Sequence, residues 1–159
     1  MNYKALIKQT EKQITAQRNI NKAIIKEQSE ILFDFAKDIF DYLLFINDSK
    51  EFRFSAAAYF NKGEPTTSLI EDRLKTNSKI PYVIEKARKS IKENKAVEIR
   101  TNGMSYSFGS ALIMLHINEK FIPSVSYETN YLSKKDRHDF TDKEEFVKSF
   151  TEFLIKNRK

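Results

Sequence analysis

A chain of 159 residues suits one domain able to bury a core of its own, and the absence of cysteine removes disulfides, thiolate zinc sites and cysteine nucleophiles together. With 28 basic and 22 acidic residues the net charge is +6, which suits nucleic acid or an acidic protein surface as partner. The N-terminus carries Lys and Gln where a signal peptide needs an apolar run, and the densest apolar stretch, Ile39 to Ile46, is interrupted by Asp41 and far shorter than the ~20 residues that span a bilayer. The expectation is a soluble, cytoplasmic protein with no membrane partner.

The first 47 residues contain neither Gly nor Pro and read as helix, about 70 Å long if straight. Lys4, Lys8 and Lys12 are spaced four apart, as are Arg18, Lys22 and Lys26, so all six fall within about a third of the helix circumference. Tyr3, Leu6, Ile7, Ile14, Ile20, Ile24, Ile25 and Ile31 occupy most of the other side. This is an amphipathic basic helix, suited to lying on something apolar while showing Lys and Arg to something acidic. Gln17, Asn21 and Gln28 interrupt the seam that a long zipper needs, and the oligomeric state is left open. A 70 Å helix exceeds a compact domain of this size, so a break is expected near Gln28–Ser29, with Ser29 capping the denser run Ile31, Leu32, Phe35, Ile39, Tyr42, Leu43 and Ile46.

From Glu51 to Phe60 the alternation of Phe52, Phe54, Ala56, Ala58 and Phe60 with polar neighbours predicts a strand. Asn61–Thr67 reads as a loop and Ser68–Lys75 as a short helix. A clearer helix spans about Lys79 to Asn94, with Ile80, Ile84, Ala87 and Ile91 inside, Pro81 in the first turn, and Lys86, Lys89 and Lys92 outside. Residues 79–102 carry a net +4, the second concentration of positive charge after the +3 of residues 1–30.

The second half reads as a β-meander. Asn102-Gly103 between Ala96–Thr101 and Met104–Phe108 predicts a type I′ hairpin turn, and Gly109 a bulge or bend. Ala111–Ile117 is then a buried central strand, Asn118–Lys120 a turn, and Phe121–Thr129 an edge strand because of Pro123. Ser133–Asp139 reads as a charged loop. Thr141-Asp-Lys-Glu144 is a capping box for a last helix that buries Phe146, Val147, Phe150, Phe153 and Leu154. The prediction is a single α+β domain over residues 1–159: a helical region 1–47, and a body 51–159 holding an antiparallel meander of four to five strands with the C-terminal helix packed on it.

Catalytic patterns are sparse. His116 lies among apolar strand residues, and His138 in Asp136-Arg-His-Asp139 has no second cluster to complete a metal site. Glu98-Ile-Arg100 with Asp72 upstream approaches the acid and Glu-x-Lys pattern of a metal-dependent nuclease, but Arg does not lose its proton and Asp72 falls in a predicted helix. Three glycines in the chain offer no phosphate-cradling loop. No catalytic residue, metal ligand or cofactor is assigned. Binding candidates are the basic residues Lys4, Lys8, Lys12, Arg18, Lys22, Lys26, Lys86, Lys89 and Lys92. Tyr59, Tyr106, Tyr127 and Tyr131 join them, because their rings bury area while their hydroxyls tolerate water.

A short, cysteine-free domain rich in Lys, Asn, Ile and Phe and lacking an enzyme motif resembles, in genre, the small inhibitor proteins of phages and mobile elements, anti-CRISPR proteins among them. No motif carries the resemblance, so no residue role is transferred. It implies a non-enzymatic protein that blocks a larger protein or ribonucleoprotein machine by occupying its surface. The alternatives are a sequence-tolerant nucleic-acid binder of a phage or mobile element and, third, a metal-dependent nuclease.

Overall fold

The computed structural model describes residues 1–49, 54–60, 67–70, 80–103, 110–131 and 134–156. The fold is α+β: a long N-terminal helix, an antiparallel sheet and a C-terminal helix packed on it. Helix α1 spans Tyr3–Ser49, α2 Ile80–Lys92 and α3 Lys143–Lys156. The strands are β1 Phe54–Tyr59, β2 Thr67–Ile70, β3 Val97–Gly103, β4 Ser110–Ile117, β5 Pro123–Tyr131 and β6 Lys134–Phe140. Among the described residues, six strands form one sheet in the order β2-β1-β3-β4-β5-β6, every neighbour antiparallel.

One face of the sheet supplies the core. Ala56, Ala58, Val97, Ile99, Ala111, Ile113, Leu115, Val125 and Tyr127 point to it and are buried beneath Leu32–Ile46 of α1, Val83, Ala87 and Ile91 of α2, and Phe146, Phe150 and Leu154 of α3. This is a two-layer arrangement. Phe33 fixes α1 to α2, with the Arg88 guanidinium 4.2 Å from its ring centre.

Several expectations give way to longer-range pairing. Helix α1 is not broken at Ser29; the hydroxyl there donates to the Lys26 carbonyl at 2.7 Å, which satisfies it within a continuous helix. Thr67–Ile70 is a strand, where a helix from Ser68 is predicted, because β1 offers it a backbone partner. Asn102 and Gly103 do not turn: they continue β3, opposite Ser55 and Phe54. The predicted strand Met104–Phe108 and the bend at Gly109 lie outside the described residues. Pro123 begins an inner strand rather than an edge, at the first position, where its missing N–H is tolerated. Of the charged segment Ser133–Asp139, read as a loop, the described residues Lys134–Asp139 belong to β6 at the edge of the sheet, where charge deters further pairing.

Local signals hold at the caps. Asn118 Oδ1 accepts from Lys120 N and Ile122 N at 2.9 and 3.0 Å and shapes the β4–β5 turn. Helix α3 is capped by Asp142 rather than Thr141, its carboxylate accepting from Glu144 N at 2.8 Å. Helix α2 ends in a Schellman motif: Asn94 has φ 55°, Lys95 N donates to Ser90 O and Asn94 N to Ile91 O.

The Tyr42 hydroxyl meets Thr151, joining α1 to α3. Burial pushes the Tyr42 pKa up to about 12 from 10.0 and raises that of Tyr127 as well. A proton held more tightly in the folded state stabilises it below pH 10, and that contribution is lost as pH rises through about 12. Denaturant titrations from pH 8 upward should show stability falling above pH 10. Tyr42→Phe should flatten part of that fall and cost about 1 kcal/mol at neutral pH through the lost hydrogen bond; an unchanged alkaline profile would refute the assignment.

Candidate interaction surface

Six strands at a spacing of about 4.8 Å make a sheet about 25 Å across, against a helix of about 70 Å. The body therefore supports only the C-terminal part of α1, and residues 1–20 are exposed throughout. Asn2 caps this overhang, its side-chain oxygen accepting from Ala5 N at 3.1 Å. Tyr3, Ile7, Ile14 and Ile20 are left 69%, 58%, 47% and 54% exposed.

All six basic residues of α1, Lys4, Lys8, Lys12, Arg18, Lys22 and Lys26, are exposed. The two basic segments meet where α1 passes the end of α2. Lys22 and Lys26 from α1 and Lys92 from α2 line one cleft of about 690 Å³, with Ile25, Ser29, Asn94, Glu30 and Glu93 completing its wall. The cleft is mixed in charge with a cationic excess, and Glu93 is already paired to Lys95 at 3.0 Å. Sequence periodicity could not join Lys22 and Lys26 to Lys92, because they share no element. Lys89 is exposed on α2. Lys86 differs: it is half-buried, its ammonium 5.2 Å from the Tyr82 ring centre and 5.9 Å from that of Phe60.

The tyrosines separate. Tyr59 lies on the sheet face away from the helices, half-buried under the Arg100 guanidinium at 5.2 Å. Tyr127 is not a surface contact: it is 4% exposed, its hydroxyl bonded to Ser149 at 2.7 Å and its ring stacked on His138 at 4.8 Å. Its alternation places it on the core face of β5, which the burial of its neighbours decides. Tyr131 ends β5 opposite Lys134, and Tyr106 lies outside the described residues.

On the open face, a groove of about 660 Å³ is lined by His116, Ser124, Arg137, Asp139 and Glu145 among others. Ser124 Oγ is 3.2 Å from His116 Nε2, the spacing of a nucleophile and its base. His116 Nδ1, however, is buried without a hydrogen bond of good geometry, where a carboxylate would have to orient the ring. Ser124 itself is buried. Desolvation first, then Arg137, holds the His116 pKa below its ordinary 6.5. The pair serves to tie β4 to β5, in which the two residues are register partners.

Glu98 and Arg100 share the open face, and Arg100 is engaged on Tyr59. Asp72 lies outside the described residues. Among the described residues, no three His, Cys, Asp or Glu side chains are grouped to hold a metal, and no helix is long and apolar enough to cross a membrane. In comparisons with protein-family models, with curated proteins and with solved structures, nothing matches this chain.

Proposed function

We propose that the protein is a non-enzymatic inhibitor that docks on an acidic surface of a larger nucleic-acid-processing machine, in the manner of the anti-CRISPR-type proteins it resembles in genre. The observation that carries the reading is the convergence of Lys22, Lys26 and Lys92 on one cleft, in line with the exposed row Lys4, Lys8, Lys12 and Arg18. None of these seven cations is held in an ion pair among the described residues, so their charge is free to meet a partner. Inhibition follows from steric or conformational occlusion: a rigid helix seated on the machine blocks substrate entry or a required domain movement.

The test is capture on the immobilised 159-residue chain from cells carrying phage and CRISPR systems, followed by nuclease assay of what is retained. A stoichiometric protein whose activity falls on addition of the free domain is the expected result. Retention of no protein at stoichiometric level would overturn the reading.

A second reading, sequence-tolerant nucleic-acid binding, is favoured by the same lysine row and by Arg100 poised over Tyr59 on the open sheet face. It predicts mobility shifts of single- or double-stranded nucleic acid that weaken steeply with salt. An affinity flat across salt, or no shift at micromolar protein, would remove it.

A further inference from the structure

We infer that two copies of this chain pair antiparallel through their α1 helices, using an apolar seam that is exposed at Tyr3, Ile7, Ile14 and Ile31 and half-buried at Ile24 and at Phe35, which packs against the core. The seam is Tyr3, Ile7, Thr10, Ile14, Gln17, Asn21, Ile24, Gln28, Ile31 and Phe35, spaced alternately four and three residues apart, the heptad spacing of a coiled coil. Its pattern is palindromic about residue 19: apolar, apolar, polar, apolar, polar, then polar, apolar, polar, apolar, apolar. An antiparallel pair centred there therefore sets Tyr3 on Phe35, Ile7 on Ile31, Thr10 on Gln28, Ile14 on Ile24 and Gln17 on Asn21 of the second copy. Every layer matches like with like. Moving the register by one heptad in either direction sets Ile14 or Ile24 against a polar residue, so the interrupting polar positions, which weaken an arbitrary zipper, specify this one.

The exposed part of the seam is where such a pairing needs it. Ile7 and Ile14 are 58% and 47% exposed, and Ile31, beside the body, is still 44% exposed. Ile20, next to the two-fold axis, would meet its own twin. Charge selects the direction. Residues 1–26 hold six basic and one acidic side chains, a net +5, and residues 27–49 hold one basic and six acidic, a net −5. An antiparallel pair runs each basic half toward the other's acidic half, whereas a parallel pair stacks like on like. The one like-charge contact in the register is Arg18 beside its twin, and a long side chain can turn its head to water there. Pairing also supports residues 1–20, which are exposed throughout in one copy; helices draw most of their stability from tertiary packing. Lys8, Lys12, Lys22 and Lys26 remain outward, so the inference is independent of the binding role proposed above.

Sedimentation of the isolated 159-residue chain tests it. The expected result is a concentration-dependent species of twice the 18.7 kDa chain mass. Ile14→Glu, at an exposed position that leaves the fold intact, should raise the dissociation constant at least about a hundredfold, since each dimer loses two buried isoleucines. The absence of native cysteine allows a register test by mild oxidation. Ile20→Cys should cross-link to itself, while Ile7→Cys should not, because the two copies of residue 7 lie about 36 Å apart along the pair. A monomer throughout the micromolar range, or Ile7→Cys linking as readily as Ile20→Cys, would overturn the inference.

Discussion

Phe150→Ala should remove about 3–5 kcal/mol from the stability of the fold, a large share of the roughly 5–15 kcal/mol that a domain of this kind holds against unfolding. Phe150 is fully buried at the point where α3, the sheet and α1 meet. Its ring stacks on Phe146 with centres 5.6 Å apart and takes Tyr127 and Tyr42 edge-on at 5.3 and 6.5 Å. Truncation would leave a cavity bounded by other rings, whose rigid shapes collapse poorly into it, so the cavity penalty adds to the lost transfer energy. Urea unfolding of the two proteins at neutral pH measures the difference. Phe45, 72% exposed on α1, is the control: its replacement by Ala should change stability by no more than about 0.5 kcal/mol. Equal effects at the two positions would mean that the aromatic cluster does not carry the fold.

The combined change Lys22→Glu, Lys26→Glu and Lys92→Glu should weaken binding of the captured partner at least about a hundredfold, mainly by slowing association, while stability stays within about 0.5 kcal/mol of the parent. The three ammonium groups share a cleft and are exposed, so reversal inverts the local potential without disturbing packing. Lys148→Glu, on the exposed side of α3, changes net charge by the same amount per site and should have little effect. Binding kinetics at two ionic strengths separate the outcomes: the parent should associate more slowly in salt, the triple variant should not. An affinity indifferent to all three reversals would exclude this cleft as the interface.

Much of the architecture rests on local signals. The lack of Gly and Pro before Gly63 makes α1 a helix, alternation marks the core side of β1, Asn118 and the acidic start of α3 place a turn and a cap where side chains satisfy backbone groups within a few residues, and Asn94 takes the positive φ that ends α2. The departures share one cause, a backbone partner distant in sequence. Lys134–Phe140 has the composition of a loop and becomes a strand because β5 offers it donors and acceptors. Asn102-Gly103 has the signature of a turn and stays extended because β1 pairs with it.

The site divides in the same way. Periodicity by itself determined the lysine face and the apolar seam of α1, since both are properties of one helix at 3.6 residues per turn. Only the tertiary structure decided that Lys92 joins Lys22 and Lys26, that Tyr127 belongs to the core, and that residues 1–20 extend past the sheet. A helix carries its pattern within itself, but which stretch of that pattern meets a neighbour depends on where the remaining elements stop.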